Sequence, residues 1–347
     1  MRAARWLRRP IVWAPISLVL LALVAWRSRV WEARDLLGHV AIAPLVAALA
    51  LSGVVLVLWG TRSAALLRQA GRPVAIAPLI PMTALANTIN NVTPGSSGEI
   101  LRLWLLRARF GVDYTTGGAV IVVERVVALA YLTGSGVLFW LAVIGFLPPP
   151  VAVAGLVLLG VLPGLVYAVG IRPSAIVALV PLGRVVGTDR WTRLTAWVAR
   201  VDAMIAALLT RPARLAAFAL ITTAILACYA LQLVLVGQAI GVRIDPVTAW
   251  GALGVGMTAG VLSLLPFGLG STDLVVATLL GVAGVPPIEA TAMTFAYRLV
   301  STLPLALAGV ASYAVLSASL PTGSEIAELA AADAEPADAI TTSGTKA

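Results

Sequence analysis

Thr93-Pro94-Gly95-Ser96-Ser97-Gly98-Glu99 and Pro266-Phe267-Gly268-Leu269-Gly270-Ser271-Thr272-Asp273 are the two stretches that decide how this chain folds. Each carries Pro, Gly, Gly and then an acid, and each interrupts an apolar region. The first region, Val74–Gly98, also holds Pro78, Pro81, Asn87, Asn90 and Asn91; the second, Trp250–Val285, also holds Ser263. Backbone without helical hydrogen bonds is tolerated at membrane depth only where protein or a watery cavity satisfies it. Both regions are therefore predicted to be re-entrant helical hairpins. The repeat continues downstream: 26 residues separate Glu99 from Arg125, and 25 separate Asp273 from Arg298.

Working outward, the rest of the chain supplies the membrane spans. Of 347 residues 60% are hydrophobic and 11% charged, with a mean hydropathy of +1.00, where a soluble globule carries about 25% charged residues. Apolar runs at Ile11–Trp26, Leu37–Trp59, Thr116–Phe146, Val151–Gly170, Leu215–Ile240 and Ile288–Ser317 approach or exceed the ~20 residues that cross a hydrocarbon core. No small-x-small cleavage site follows Ile11–Trp26, so it is expected to remain as the first helix. The predicted fold class is an all-α polytopic membrane protein, with a transmembrane domain over 1–320. Beyond it, 321–347 is rich in Ala, Thr, Ser and acids and reads as a disordered tail.

Each half reads span, span, hairpin, span, which predicts repeats over about 11–147 and 148–318. Three full crossings per half invert the second repeat, a design found in transporters. Arginine distribution supports the hairpins. With both re-entrant, 17 Arg lie inside and Arg27, Arg29, Arg34 and Arg243 lie outside. A first hairpin that crossed fully would leave 8 inside and 13 outside, against the positive-inside rule. Both termini are expected to be cytoplasmic, in an inner cell membrane. Trp191, Leu194, Val198, Val201, Ile205 and Leu208 form an apolar stripe beside Arg190, Arg193 and Arg200, as in a helix lying at the interface.

Composition also removes whole classes of chemistry. The net charge of +9 comes from 23 Arg and Lys346, but the Arg are scattered between apolar spans and form no nucleic-acid-binding face. Cys228 and His39 are the only residues of their kinds, which leaves no thiolate or imidazole metal cluster and no histidine triad. No cofactor motif is present: Gly95–Gly98 lacks the Lys-Ser/Thr of a P-loop, and Gly268–Gly270 follows no strand. An enzyme is not expected.

Ionisable groups at membrane depth are costly and suggest function. Glu99 and Arg102, three apart, can pair on one helix face. Glu124 and Arg125 are adjacent and so need separate partners. The candidate substrate-binding set is Asn91, Pro94, Gly95, Gly98, Glu99, Arg102, Glu124, Arg125, Pro266, Gly268, Gly270, Asp273 and Arg298. In the functional reading Arg125 and Arg298 bind a phosphate while the carboxylates orient them or exchange protons. The alternative is a set of structural ion pairs, although buried pairs rarely improve on apolar packing.

Asn91-Val92-Thr93-Pro94-Gly95-Ser96-Ser97-Gly98-Glu99 with Arg102, Glu124-Arg125, Pro266 to Asp273, and Arg298 resembles the flippase-like transmembrane family, which includes the membrane half of lysylphosphatidylglycerol synthases. The resemblance covers roughly residues 10–318. It implies translocation of lipids with polar heads, or support of envelope glycolipid synthesis. The family often carries an acid three residues after the Glu-Arg pair, where this chain has Ala128, and Glu where it has Asp273. The expected function is translocation of an anionic phospholipid or a polyprenyl-phosphate-linked glycolipid, with membrane lipids as partners. The alternatives are a membrane-embedded transferase, or a non-transporting partner of an envelope lipid or glycan synthase.

Overall fold

The computed structural model describes residues 40–92, 97–168, 174, 188–209, 212–263, 265 and 268–317. The expected first span Ile11–Trp26, His39, Pro94, Gly95, Pro266 and the tail lie outside the described residues. All regular structure within them is helical: α1 (Ile42–Gln69), α2 (Ile76–Val92), α3 (Ser97–Phe110), α4 (Tyr114–Val143), α5 (Pro149–Ala168), α6 (Thr188–Leu209), α7 (Pro212–Ala239), α8 (Pro246–Ser263), α9 (Ser271–Val282) and α10 (Pro287–Leu316).

α1, α4, α7 and α10 are apolar and run 28 to 30 residues, or about 42–45 Å at 1.5 Å per residue, more than the ~30 Å of a hydrocarbon core. The chain is an all-α, multi-pass membrane protein. Its long helices present Val46, Val57, Leu220, Leu303 and Leu307 outward, where lipid rather than water is the solvent. Four elements then recur in order. α1 and α7 both have 28 residues and start 170 apart (212 less 42). α4 and α10 both have 30 and start 173 apart (287 less 114). Each long–short junction turns through a left-handed glycine, Gly71 (φ 75°) and Gly241 (φ 81°). The following amides, Arg72 to the Leu67 carbonyl and Val242 to the Gly237 carbonyl, both at 2.9 Å, close the helix ends in the same way.

Between the long helices the chain folds back twice, as α2–α3 and α8–α9. At 17 residues α2 spans only about 25 Å. The fold-backs are tight because small residues face them: a Cβ on Gly98 would lie 2.0 Å from the Ala86 carbonyl oxygen, and one on Gly256 would lie 2.4 Å from Val276. α8 packs on α4, and α2 packs on α10, so each short pair is held by the other half's long helix. The contacts correspond in detail. Gly254 of α8 meets Gly136 of α4, and Ala84 of α2 meets Gly309 of α10; these are the same positions on the 170 and 173 offsets.

Four expectations need correction. The span ending at Trp59 continues as helix to Gln69, because the apolar pattern resumes at Ala64, Leu66 and Leu67. The first interrupted region, expected to end at Gly98, is followed without a break by α3, which runs on to Phe110. Arg62 and Arg102, counted among the 17 inside arginines, are instead buried. That leaves 15 against 4 (17 less two), so the bias keeps its direction. α6 places Val198 and Val201 in the core, with Trp197 and Ile205 packed alongside. The middle of its apolar stripe therefore lies on the bundle, while Leu194 stays exposed.

Candidate functional site

The first half gathers its charges into a chain that alternates in sign. Glu124, on α4, takes Arg62 Nε at 3.3 Å and Nη2 at 3.1 Å on one oxygen. Its other oxygen takes Arg102 Nη2 at 2.7 Å. Arg102 Nη1 then reaches Glu99 at 3.3 Å, and Glu99 Oε1 accepts from Arg125 Nε at 2.7 Å and from Nη2 as well. The order is Arg62–Glu124–Arg102–Glu99–Arg125, contributed by α1, α4, α3, α3 and α4. Four of the five are buried. Arg125 is the exception, with 48% of its side chain exposed.

Local sequence explains the placement. Glu99 sits in the first turn of α3, where the helix dipole favours an anion, and Arg102 follows at i+3 on the same face. Asn90, on α2, straps the hairpin by donating from Nδ2 to Glu99 at 3.0 Å and accepting the Gly98 amide at 2.9 Å. The Ser63 hydroxyl accepts from Arg102 Nη2 at 2.6 Å and lies 3.2 Å from Glu124. Glu124 and Arg125 do take separate partners, as adjacent helical residues must.

The second half is simpler. Asp273, in the first turn of α9, accepts Arg298 Nε at 2.5 Å on one oxygen and the Gly270 amide at 2.8 Å on the other. Arg298 also donates to the Gly268 carbonyl at 3.3 Å. Gly268 (φ 58°) and Gly270 (φ 83°) occupy the left-handed region that glycine enters at no steric cost. They aim a carbonyl and an amide at the Arg–Asp pair. Of the positions expected from sequence, Glu99, Arg102, Glu124 and Arg125 form one cluster with Gly98 beside it. Asp273, Arg298, Gly268 and Gly270 form another. The hairpin strap belongs to Asn90 rather than to Asn91. Arg62, Ser63 and Asn90 escaped the sequence reading; the signal for the first two was the apolar pattern that resumes after them.

The wide opening lined by Ala142, Ile144, Pro149, Asp245, Thr248 and Val282, about 690 Å³ in volume, lies elsewhere. Ala142 is 17 residues beyond Arg125 on α4, or about 25 Å. The one ionisable group there, Asp245, caps α8 through the Val247 and Thr248 amides, each at 2.9 Å. The ionic chemistry and the open volume are separate. Among the described residues no group of three His, Cys, Asp or Glu could hold a metal ion.

With this geometry in place, comparison with known proteins assigns the family. Residues 11–309 match the lysylphosphatidylglycerol synthase TM region. This chain belongs to that family. The match is to the synthases' membrane region, which is separate from their catalytic domain. Among curated proteins, the glycosyltransferase AglD of Haloferax volcanii is 28% identical over 354 residues, covering 92% of this chain and 56% of that protein. The chain thus spans little more than half the length of this relative.

In this synthase-type membrane region, the alternating chain predicts a specific pattern of stability. Glu124→Gln strands Arg62 against a neutral amide and leaves Arg102 with Glu99 alone. Breaking a buried pair from one side costs about 3–5 kcal/mol. Adding Arg62→Gln removes one stranded cation and should recover part of that loss. Thermal unfolding of the two single variants and the double variant in detergent measures the coupling. Additive losses would mean that Arg62 and Glu124 do not act as a pair.

Proposed function

We propose that the protein is a flippase-like translocator of lipids with an anionic headgroup, an anionic phospholipid or a polyprenyl-phosphate-linked glycolipid. The observation that carries this reading is the buried Arg–carboxylate chain inside a bundle of long apolar helices. Its one exposed end, Arg125, stands beside outward-facing Val126 and Leu129. A translocator must let a polar head pass through hydrocarbon while its tails stay in lipid. Paired charges, already desolvated and held by several helices, lower the cost of that passage. Family membership points the same way.

The finer architecture belongs to this proposal. The matched halves are inverted repeats, and α2–α3 and α8–α9 are re-entrant hairpins meeting near the midplane. The transmembrane domain covers 1–320, and both termini face the cytoplasm of an inner membrane. Ser63 is fully buried and cannot report sidedness, whereas Arg72 is exposed. A cysteine replacing Arg72 in a Cys228→Ala background should be labelled only from the cytoplasmic side. Labelling from outside would invert the proposed orientation.

A second reading is favoured by the similarity to a protein named as a glycosyltransferase: the chain supports an envelope glycan or lipid synthase without transporting lipid. Reconstitution separates the two. In liposomes holding a fluorescent phosphatidylglycerol, the protein should expose inner-leaflet label to an external quencher faster than protein-free liposomes do. Arg102→Met with Glu124→Gln should abolish the gain while the protein stays inserted. Equal rates with and without protein would remove the translocator reading and leave the partner.

A further inference from the structure

We propose that the first half alone docks a lipid phosphodiester of single negative charge, on the outer edge of the Arg125 guanidinium. The proposal deepens the translocator reading and rests on it for the lipid nature of the ligand.

The argument begins with valence. The first-half chain starts and ends on a cation, so three Arg face two Glu, leaving one positive charge in surplus among the described residues. In the second half Arg298 is ion-paired with Asp273 and also donates to the Gly268 carbonyl. The repeat register shows how the difference arose. On the 170 offset Arg62 corresponds to Gln232, and on the 173 offset Glu124 corresponds to Tyr297. Three residues after the acid, Arg102 corresponds to Val276. The second half has a neutral residue at each of those positions and keeps only the terminal acid–arginine pair.

Geometry then singles out Arg125. Glu99 engages its Nε and Nη2, while Nη1 makes no hydrogen bond among the described residues. Its side chain is 48% exposed, against 15% for Arg298 and 3% for Arg102. An arginine with one edge clamped and the other open presents donors in a fixed fork, the geometry that suits phosphate oxygens. Buried Arg102 Nε, also without a partner, adds to the donors that the cluster holds beyond its acceptors.

The surroundings identify the source of the phosphate. Val126 is 61% exposed and Ile100, beside Glu99, is 68% exposed. Leu129 follows Arg125 at i+4 on the same face and is also exposed. Such side chains suit acyl or prenyl chains and would be poor walls for a site serving phosphate from water. A single surplus charge balances one phosphodiester. A diphosphate brings further negative charge that finds no cation there, which is costly at membrane depth.

The test is calorimetric titration of the full-length, delipidated protein in detergent. Short-chain phosphatidylglycerol should bind with one site per chain. Phosphatidylcholine should bind about tenfold more weakly or worse, and a polyprenyl diphosphate no more tightly than phosphatidylglycerol. Arg125→Gln, which leaves Glu99 paired with Arg102 and Asn90, should weaken phosphatidylglycerol binding about tenfold or more. Should that variant fail to fold, Arg125→Lys should weaken binding several-fold while retaining the charge. Wild-type affinity in either folded variant would overturn the proposal. So would two sites per chain, a diphosphate that binds about tenfold more tightly, or displacement by millimolar inorganic phosphate. Arg125-dependent binding without any translocation leaves the docking site standing and removes the translocator. Translocation unchanged by Arg125→Gln does the reverse.

Discussion

A charge carried into hydrocarbon must bring or find its counter-charge, and this requirement organises the first half of the molecule. Arg62, Glu124, Arg102, Glu99 and Arg125 lie on three helices, α1, α3 and α4, the first separated from the other two by the whole of α2. The cost of leaving any one of them alone is several kcal/mol, so α1, α3 and α4 must arrive together. The ion chain thereby fixes the register of the hairpin against the long helices, a task that nondirectional apolar packing performs poorly in lipid. It also means that the polar centre is assembled before any ligand arrives.

The two halves share a scaffold and differ in what they place on it. Helix lengths, the left-handed glycines after α1 and α7, and the small residues at the α4–α8 and α2–α10 crossings correspond position by position. The ionic interior does not. Where the first half has Arg62 and Glu124, the second has Gln232, which donates to the Ala48 carbonyl and to Ser52 at 2.9 Å each, and Tyr297. Gln232 thus ties α7 to α1 by hydrogen bonds, where Arg62 ties α1 to α4 by charge. The first half thus carries five linked charges ending on the half-exposed Arg125, and the second the Asp273–Arg298 pair.

Much of this was legible in the sequence. The Pro/Gly breaks stand out because helices in lipid have few other reasons to stop, and the Glu99–Arg125 and Asp273–Arg298 spacings mark pairs that the structure joins. The i, i+3 relation of Glu99 and Arg102 follows from helical geometry alone. Arg62 was not legible as an interior residue. An arginine just after an apolar run reads as a membrane boundary, and only its contact with Glu124, 62 positions away, shows otherwise. Asn90 was not legible as the partner of Glu99 and Gly98 for a similar reason, since helical phase at the end of α2 depends on where α2 and α3 meet. The surplus of one charge could not be counted until the pairing was known.

Electron cryo-microscopy of the full chain in nanodiscs of phosphatidylglycerol, compared with nanodiscs of phosphatidylcholine alone, tests the central claim most directly. In the anionic bilayer, headgroup density should lie within hydrogen-bonding reach of Arg125, with Arg62, Glu124, Arg102 and Glu99 still in alternating contact; in the zwitterionic bilayer that density should be weak or absent. Headgroup density at Arg298 instead, or an Arg125 turned away from lipid with the charge chain broken, would contradict the account.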